Sequence, residues 1–243
     1  MRKLLATLTV AGLAVAFGAS PGVAGSGNVK KFCKANLGIN KLFNETEADF
    51  PEDTDRLNTL LDRAINNAPP DIADAVDVAA PALQEDGPAA FDDPAVQEAI
   101  GEIDDFALND CGYEKVEATL EDYAFTGIPD EIETGTVAFE LTNEGTEVHE
   151  MIVFRFKGDE TLDEILELPE EEAMERVTTV GFGFALPDEI TPAFIQFKKT
   201  GRYAAICTLP VGATDPEQIE TLFEAGAAPH FTEGMATEFE VVK

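Results

Sequence analysis

The sequence predicts an α+β protein: a small acidic helical domain followed by an antiparallel β-sandwich with helical insertions. Three observations predict it. Between Asn28 and Gly112 apolar residues recur at three- and four-residue spacing, the period of helices packed on one face. From Lys115 the spacing changes to every second residue, the period of a strand with one buried face. Glycine, proline and asparagine separate the alternating segments, as turns require. The expected divisions are 1–24 for a leader, 28–114 for the helical domain and 115–243 for the sandwich.

The leader begins with Arg2 and Lys3, continues through the apolar run Leu4–Ala16 and ends on small residues, Gly22-Val23-Ala24. This is the pattern of a secretory signal, cut after Ala24 or Ala19. The run is too short and too rich in Ala and Gly for a membrane span. The mature chain is therefore expected outside the cytoplasm, in a periplasm or at the cell exterior, without a transmembrane segment.

The helices follow in order. Val29–Leu37 reads as a short first helix. Thr54 reads as an N-cap, with Leu57, Leu60, Leu61, Ala64 and Ile65 forming one apolar stripe. Pro69-Pro70 ends that helix, and Asp71 caps the next, which turns Ile72, Val76, Ala79 and Leu83 inward. Gly87-Pro88 marks a loop. Asp93-Pro94 starts a further helix with the stripe Val96, Ile100, Ile103 and Ala107, ending near Asn109–Gly112. The pairs Asp92-Asp93 and Asp104-Asp105 lack calcium-loop spacing and read as solvated helix faces.

The strands are carried by Val116, Ala118 and Leu120; by Val137, Phe139 and Leu141; by Ile152, Phe154 and Phe156; by Ala193, Ile195 and Phe197; and by Phe239 and Val241. Helices are expected around Pro169, using Leu162, Ile165, Leu166, Met174 and Val177. Another is expected from Asp215-Pro216 to Gly226, with Ile219, Leu222 and Phe223 as its apolar face. Gly181-Phe182-Gly183-Phe184 lacks the lysine and strand–helix context of a phosphate loop and reads as a β-bend.

The 243 residues carry 16 basic and 48 acidic side chains, a net charge of −32, and loss of Arg2 and Lys3 makes the mature chain more acidic still. Such a charge argues against nucleic acid and anionic lipid as partners. It suits a cationic protein partner, or high salt that screens self-repulsion. Three cysteines in an exported chain leave one odd thiol. Cys33 and Cys111 bracket the helical region, and Cys207 stands apart. The expected partition is a Cys33–Cys111 disulfide, stabilising by about 4 kcal/mol in the chain-entropy model, and a functional thiolate at Cys207.

Tyr203–Met235 carries the chemistry. It holds Cys207, His230 and Met235, and the chain's other histidine is His149. Two imidazoles, a thiolate and a weak thioether suit both oxidation states of copper. Zinc bound by two His and one Cys with an open position is a chemical alternative.

These residues resemble the cupredoxins, the blue copper proteins typified by plastocyanin and azurin. Asn143-Glu144-Gly145 before His149 resembles the turn preceding that family's first histidine ligand. Tyr203–Cys207 resembles its cysteine strand, and Pro229-His230 with Gly234-Met235 resembles its last-ligand segment before the final strand. The match covers Lys115–Lys243 and implies a Greek-key sandwich. It implies one copper ion, Cu(I)/Cu(II), held by His149, Cys207, His230 and Met235. The implied function is one-electron exchange with a redox protein, not catalysis of a substrate's conversion. Two histidines are too few for the additional coppers of multicopper oxidases.

There are two departures from the family. Residues 208–229 separate Cys207 from His230, far more than in plastocyanin-like proteins. Glu150 stands where the family often has Asn, and is expected to restrain the ligand loops through Thr208. The competing expectation is a cupredoxin-like binding module that presents Pro216–Ala225 to a protein partner, with copper lost or merely stored.

Overall fold

The computed structural model describes residues 28–45 and 50–243, so the expected leader, 1–24, lies outside it. The chain divides into two compact units between Gly112 and Tyr113.

Among its described residues the first unit holds four α-helices, α1 (Val29–Glu45), α2 (Thr54–Ile65), α3 (Ala73–Glu85) and α4 (Pro94–Asp110). Helix α1 runs well past Leu37, because Leu42 continues its buried face. Asp53, not Thr54, caps α2, accepting from Arg56 N. Asp71 caps nothing; it lies in a 3-10 turn, Pro70–Ile72, and α3 starts without a side-chain cap. The Gly87-Pro88 region is also a 3-10 turn, Gly87–Asp92. Asp93 caps α4 as expected, through Ala95 N. Helix α4 buries Val96, Ala99, Phe106, Ala107 and Leu108, while Ile100 and Ile103 are only half-buried. Its neighbour α3 buries Ala75, Ala79 and Ala80, and such small residues let two helix backbones approach closely. Cys33 and Cys111 form a disulfide with Cα atoms 5.6 Å apart, closing a separation of 78 residues.

The second unit is a sandwich of nine strands. They are β1 (Glu114–Glu121), β2 (Ala124–Thr126), β3 (Glu131–Glu133), β4 (Gly135–Asn143), β5 (His149–Phe156), β6 (Val177–Ala185), β7 (Ile190–Phe197), β8 (Gly201–Ile206) and β9 (Ala236–Val242). One sheet has the order β2-β1-β4-β7, the other β3-β9-β8-β5-β6. Most pairings are antiparallel; β1–β4 and β3–β9 are parallel. Period-two alternation is the same for both pairings, so only the topology distinguishes them.

Strand β5 is buried on both faces. The short helices α5 (Leu162–Leu166) and α6 (Glu170–Arg176) follow it. Leu162 and Ile165 of α5 pack against Phe154, Phe156, Val177, Ala204 and Ile206, covering one face of the five-stranded sheet. Val177 opens β6 and does not extend a helix, and Met174 is exposed. Gly181–Phe184 is part of β6, not a bend. A Cβ at Gly181 would strike Ile195, and one at Gly183 would strike Leu141 and Ala193. The glycines are there because the other sheet lies against this backbone.

Sheet order positions the site. Strand β8 runs between β5 and β9 and is antiparallel to both. The C-terminal end of β8 and the N-terminal ends of β5 and β9 therefore share one edge. His149 begins β5, Cys207 follows β8 and Met235 precedes β9.

Candidate metal centre

His149, Cys207 and His230 are fully buried, and their candidate donor atoms all lie within 4.8 Å of one another. His149 Nδ1 is 3.1 Å from His230 Nδ1, which is 3.3 Å from Cys207 Sγ. Met235 is also fully buried. Its backbone ties the loops together: Cys207 N donates to Met235 O at 3.1 Å, and Met235 N donates to His230 O at 3.2 Å. Gly234, at φ 118°, closes the 3-10 turn His230–Glu233 and returns the chain to Met235.

The long segment after Cys207 leaves the candidate ligands together because its neck is closed. His230 N donates to Leu209 O at 2.8 Å, and Val211 N to Ala228 O at 2.8 Å. Pro210 and Pro229 form a bridge between these bonds. Residues 212–227 loop out beyond the neck and carry α7 (Ile219–Glu224), which buries Ile219 and exposes Phe223.

The turn before His149 is built as the sequence implied. Asn143 Oδ1 accepts from Gly145 N at 2.9 Å, and Asn143 Nδ2 donates to Glu147 O at 2.9 Å and Ala185 O at 3.0 Å. A Cβ at Gly145 would lie 2.7 Å from His149 Nε2, so glycine is needed for the backbone to pass the ring. Glu150 restrains the cysteine loop: its Oε1 accepts from Thr208 N at 3.0 Å and from Thr208 Oγ1 at 2.5 Å. Glu150 N also points at Cys207 Sγ, 3.4 Å away.

Three further residues lie against the histidines and were not singled out by sequence: Asp122, Tyr123 and Glu147. Asp122 Oδ1 is 3.2 Å from His149 Nε2, and Glu147 Oε2 is 2.9 Å from His230 Nε2. Glu147 also accepts from Tyr123 OH at 2.8 Å and Gly212 N at 2.5 Å. Asp122 accepts from Thr146 N and Thr146 Oγ1 at 2.9 and 2.8 Å. Asp122 and Tyr123 form the β1–β2 turn, with Tyr123 at φ 71° and its ring 5.2 Å from that of His230. Nothing marked the two carboxylates among 48 acids except the placement of Glu147 two residues before His149.

The electrostatics follow. Burial opposes ionisation of both carboxylates. The bonds from Thr146 to Asp122, and those from Tyr123, Gly212 and His230 to Glu147, outweigh it and hold both below the ordinary range. Burial lowers both imidazoles, with His230 adding to the effect on His149, so the rings are neutral near pH 7. An ionised carboxylate only accepts, so each Nε2 carries the ring hydrogen and each Nδ1 presents a lone pair. Burial, with Glu150 nearby, pushes the Cys207 thiol far above its usual range.

Two Nδ1 lone pairs and a sulfur thus face one another in a space shielded from water. The thiol hydrogen can satisfy only one of them. This arrangement fits a cation, and a donor set of two imidazoles and a thiol beside a thioether fits a single copper ion.

Fold and donors together define the second unit as a two-sheet β-sandwich with a buried cluster of two histidines and a cysteine at one edge. No protein-family model matches the chain, and no curated protein matches it. Among solved structures it is similar to auracyanin from the photosynthetic bacterium Roseiflexus castenholzii, at 17% identity over 54% of this chain and 100% of that one, TM-score 0.34. It is similar to auracyanin A, a "blue" copper protein of Chloroflexus aurantiacus, at 18% identity over 54% and 100%, TM-score 0.34. A multi-copper oxidase from Pediococcus acidilactici is similar at 13% identity over 54% of this chain and 27% of that one, TM-score 0.31.

Proposed function

We propose that this chain is an exported one-electron carrier in which His149 Nδ1, His230 Nδ1 and Cys207 Sγ, with Met235 as a weak fourth donor, would hold one copper ion. The observation that carries this reading is the convergence of three donor atoms, two of them on imidazoles whose outer N–H groups are already committed to carboxylates. Bound copper supplies a one-electron couple and makes or breaks no substrate bond. The residues do the rest. The hydrogen bonds to Asp122 and Glu147 fix the rings, and the β-sheet edge fixes their spacing. Burial keeps water from the donors, and Glu150 with Thr208 anchors the cysteine loop. Because the buried thiol holds its proton tightly, metal uptake releases that proton.

Export is supported by the leader pattern and by the disulfide, which persists in oxidising compartments. No helix among the described residues is long and apolar enough to cross a membrane. The acidic surface suits a cationic redox partner.

The test is direct. Cu(II) added to the mature protein should give an intense visible thiolate band at one copper per chain, absent in Cys207→Ser. A colourless protein that binds less than one copper would sink the reading.

A further inference from the structure

Resting on that reading, we propose that Asp122 and Glu147 are positioning residues whose charges weight the copper couple toward its oxidised form. Each carboxylate meets the outer nitrogen of one ligand histidine, and each has its oxygens otherwise occupied. Glu147 Oε2 takes His230 Nε2 and Gly212 N, and its Oε1 takes the Tyr123 hydroxyl. Asp122 Oδ1 takes His149 Nε2, Thr146 N and Glu147 N, and its Oδ2 takes the Thr146 hydroxyl.

An amide would serve the same geometry. In glutamine or asparagine the carbonyl oxygen would accept from the histidine and the backbone, and the amide nitrogen would donate to the Tyr123 or Thr146 hydroxyl. The hydrogen bonds therefore do not require the charge. Its consequence is electrostatic. Both carboxylates lie behind the ligand rings, Glu147 buried where water screens its charge poorly and Asp122 reaching solvent, so the larger share of the effect belongs to Glu147. The more highly charged oxidised ion gains more from them than the reduced ion does. A charged acceptor also draws more strongly on each N–H than a neutral one, making both Nδ1 atoms better donors to the oxidised ion.

Glu147 has a further role. It covers the outward face of His230, with only 11% of its side chain exposed, and it pins Gly212 at the start of the looped-out segment. The outer nitrogen of His230 thus meets an anion that is itself tied to the looped-out segment.

The experiment compares reduction potentials of the copper-loaded protein with those of Glu147→Gln and Asp122→Asn. Each variant should shift the potential upward, corresponding to a roughly tenfold loss of preference for Cu(II) over Cu(I), about 59 mV for one electron. The double variant should shift further. Unmoved or lowered potentials with copper bound would overturn the proposal, as would loss of copper from both amide variants. The bonds themselves are read separately in protein loaded with Zn(II), a redox-silent probe. Two exchange-protected imidazole N–H resonances are expected. The His230 signal should survive in Glu147→Gln and vanish in Glu147→Ala; its absence from the unsubstituted protein would overturn the geometry. A wild-type protein with no visible copper band defeats the electron-carrier reading instead, so the two failures are distinguishable.

Discussion

At the scale of single residues, the cluster of His149, Cys207 and His230 was legible, and of the side chains that brace it Glu150 was legible while Asp122 and Glu147 were not. His149, Cys207, His230 and Met235 stood out because soft donors are scarce in this chain and their order matches a known pattern. Glu150 was legible through its position beside His149, and its bonds to Thr208 are as expected. Asp122 and Glu147 were hidden because an acidic side chain is the commonplace residue here, and only the folded turn brings Asp122 to a ring. Two predictions belong at this scale. Gly145→Ala places a methyl group against His149 Nε2 and Asp122. It should cost about 1–3 kcal/mol in denaturant unfolding, the usual range for overpacking, and weaken the visible band. The other concerns pH in the metal-free protein. His149 and His230 are held below the ordinary imidazole value, which is about 6.5. As pH falls below that value, the unfolded chain takes up protons that the native rings refuse, so stability falls. The unfolding midpoint of the metal-free protein should drop between about pH 6.5 and 5, and the variant H149Q/H230Q should lack that component of the drop.

At the scale of elements, apolar period located most helices and strands but not their pairing. The two parallel contacts, β1–β4 and β3–β9, depend on where distant segments meet, which alternation does not encode. The glycines of β6 were misread because a bend and a close approach between sheets call for the same residue. The 208–229 segment separates Cys207 from His230 in sequence, yet backbone bonds at its neck bring Leu209 and His230 together. Replacing residues 214–227 by a short Gly/Ser turn should therefore retain the visible copper band, although loss of buried Ile219 should lower the unfolding midpoint. A colourless replacement protein would show that the tip, not the neck, holds the ligands. Phe154→Ala, under α5, should cost about 3–5 kcal/mol by opening a cavity.

At the scale of the whole molecule, the change in apolar period near Lys115 made the two-part architecture legible, and cysteine arithmetic indicated the bridge. Removing the Cys33–Cys111 bridge by C33S/C111S should destabilise the helical unit by about 4 kcal/mol. The visible band of the other unit, whose ligands lie beyond Gly112, should be unchanged. Charge acts on the molecule as a whole, at −32 over 243 residues. Association with a cationic redox protein should slow as salt rises from about 0.05 to 0.5 M, because the Debye length shortens over that range. An association rate indifferent to salt would show that the acidity does not steer partners.

The closed neck has a consequence for covalent continuity. Exposed loop tips are favoured sites of proteolytic nicking, and α7 with its exposed Phe223 is such a tip. A cut there would leave Cys207 on one fragment and His230 on the other, still paired through Val211–Ala228 and Leu209–His230 and through the shared β8–β9 ladder. The nicked protein should remain one coloured particle on a sizing column and separate into two chains only in denaturant. The His149–Cys207–His230 cluster is thus held by sheet pairing, and the covalent link between its two halves should be dispensable once folding is complete.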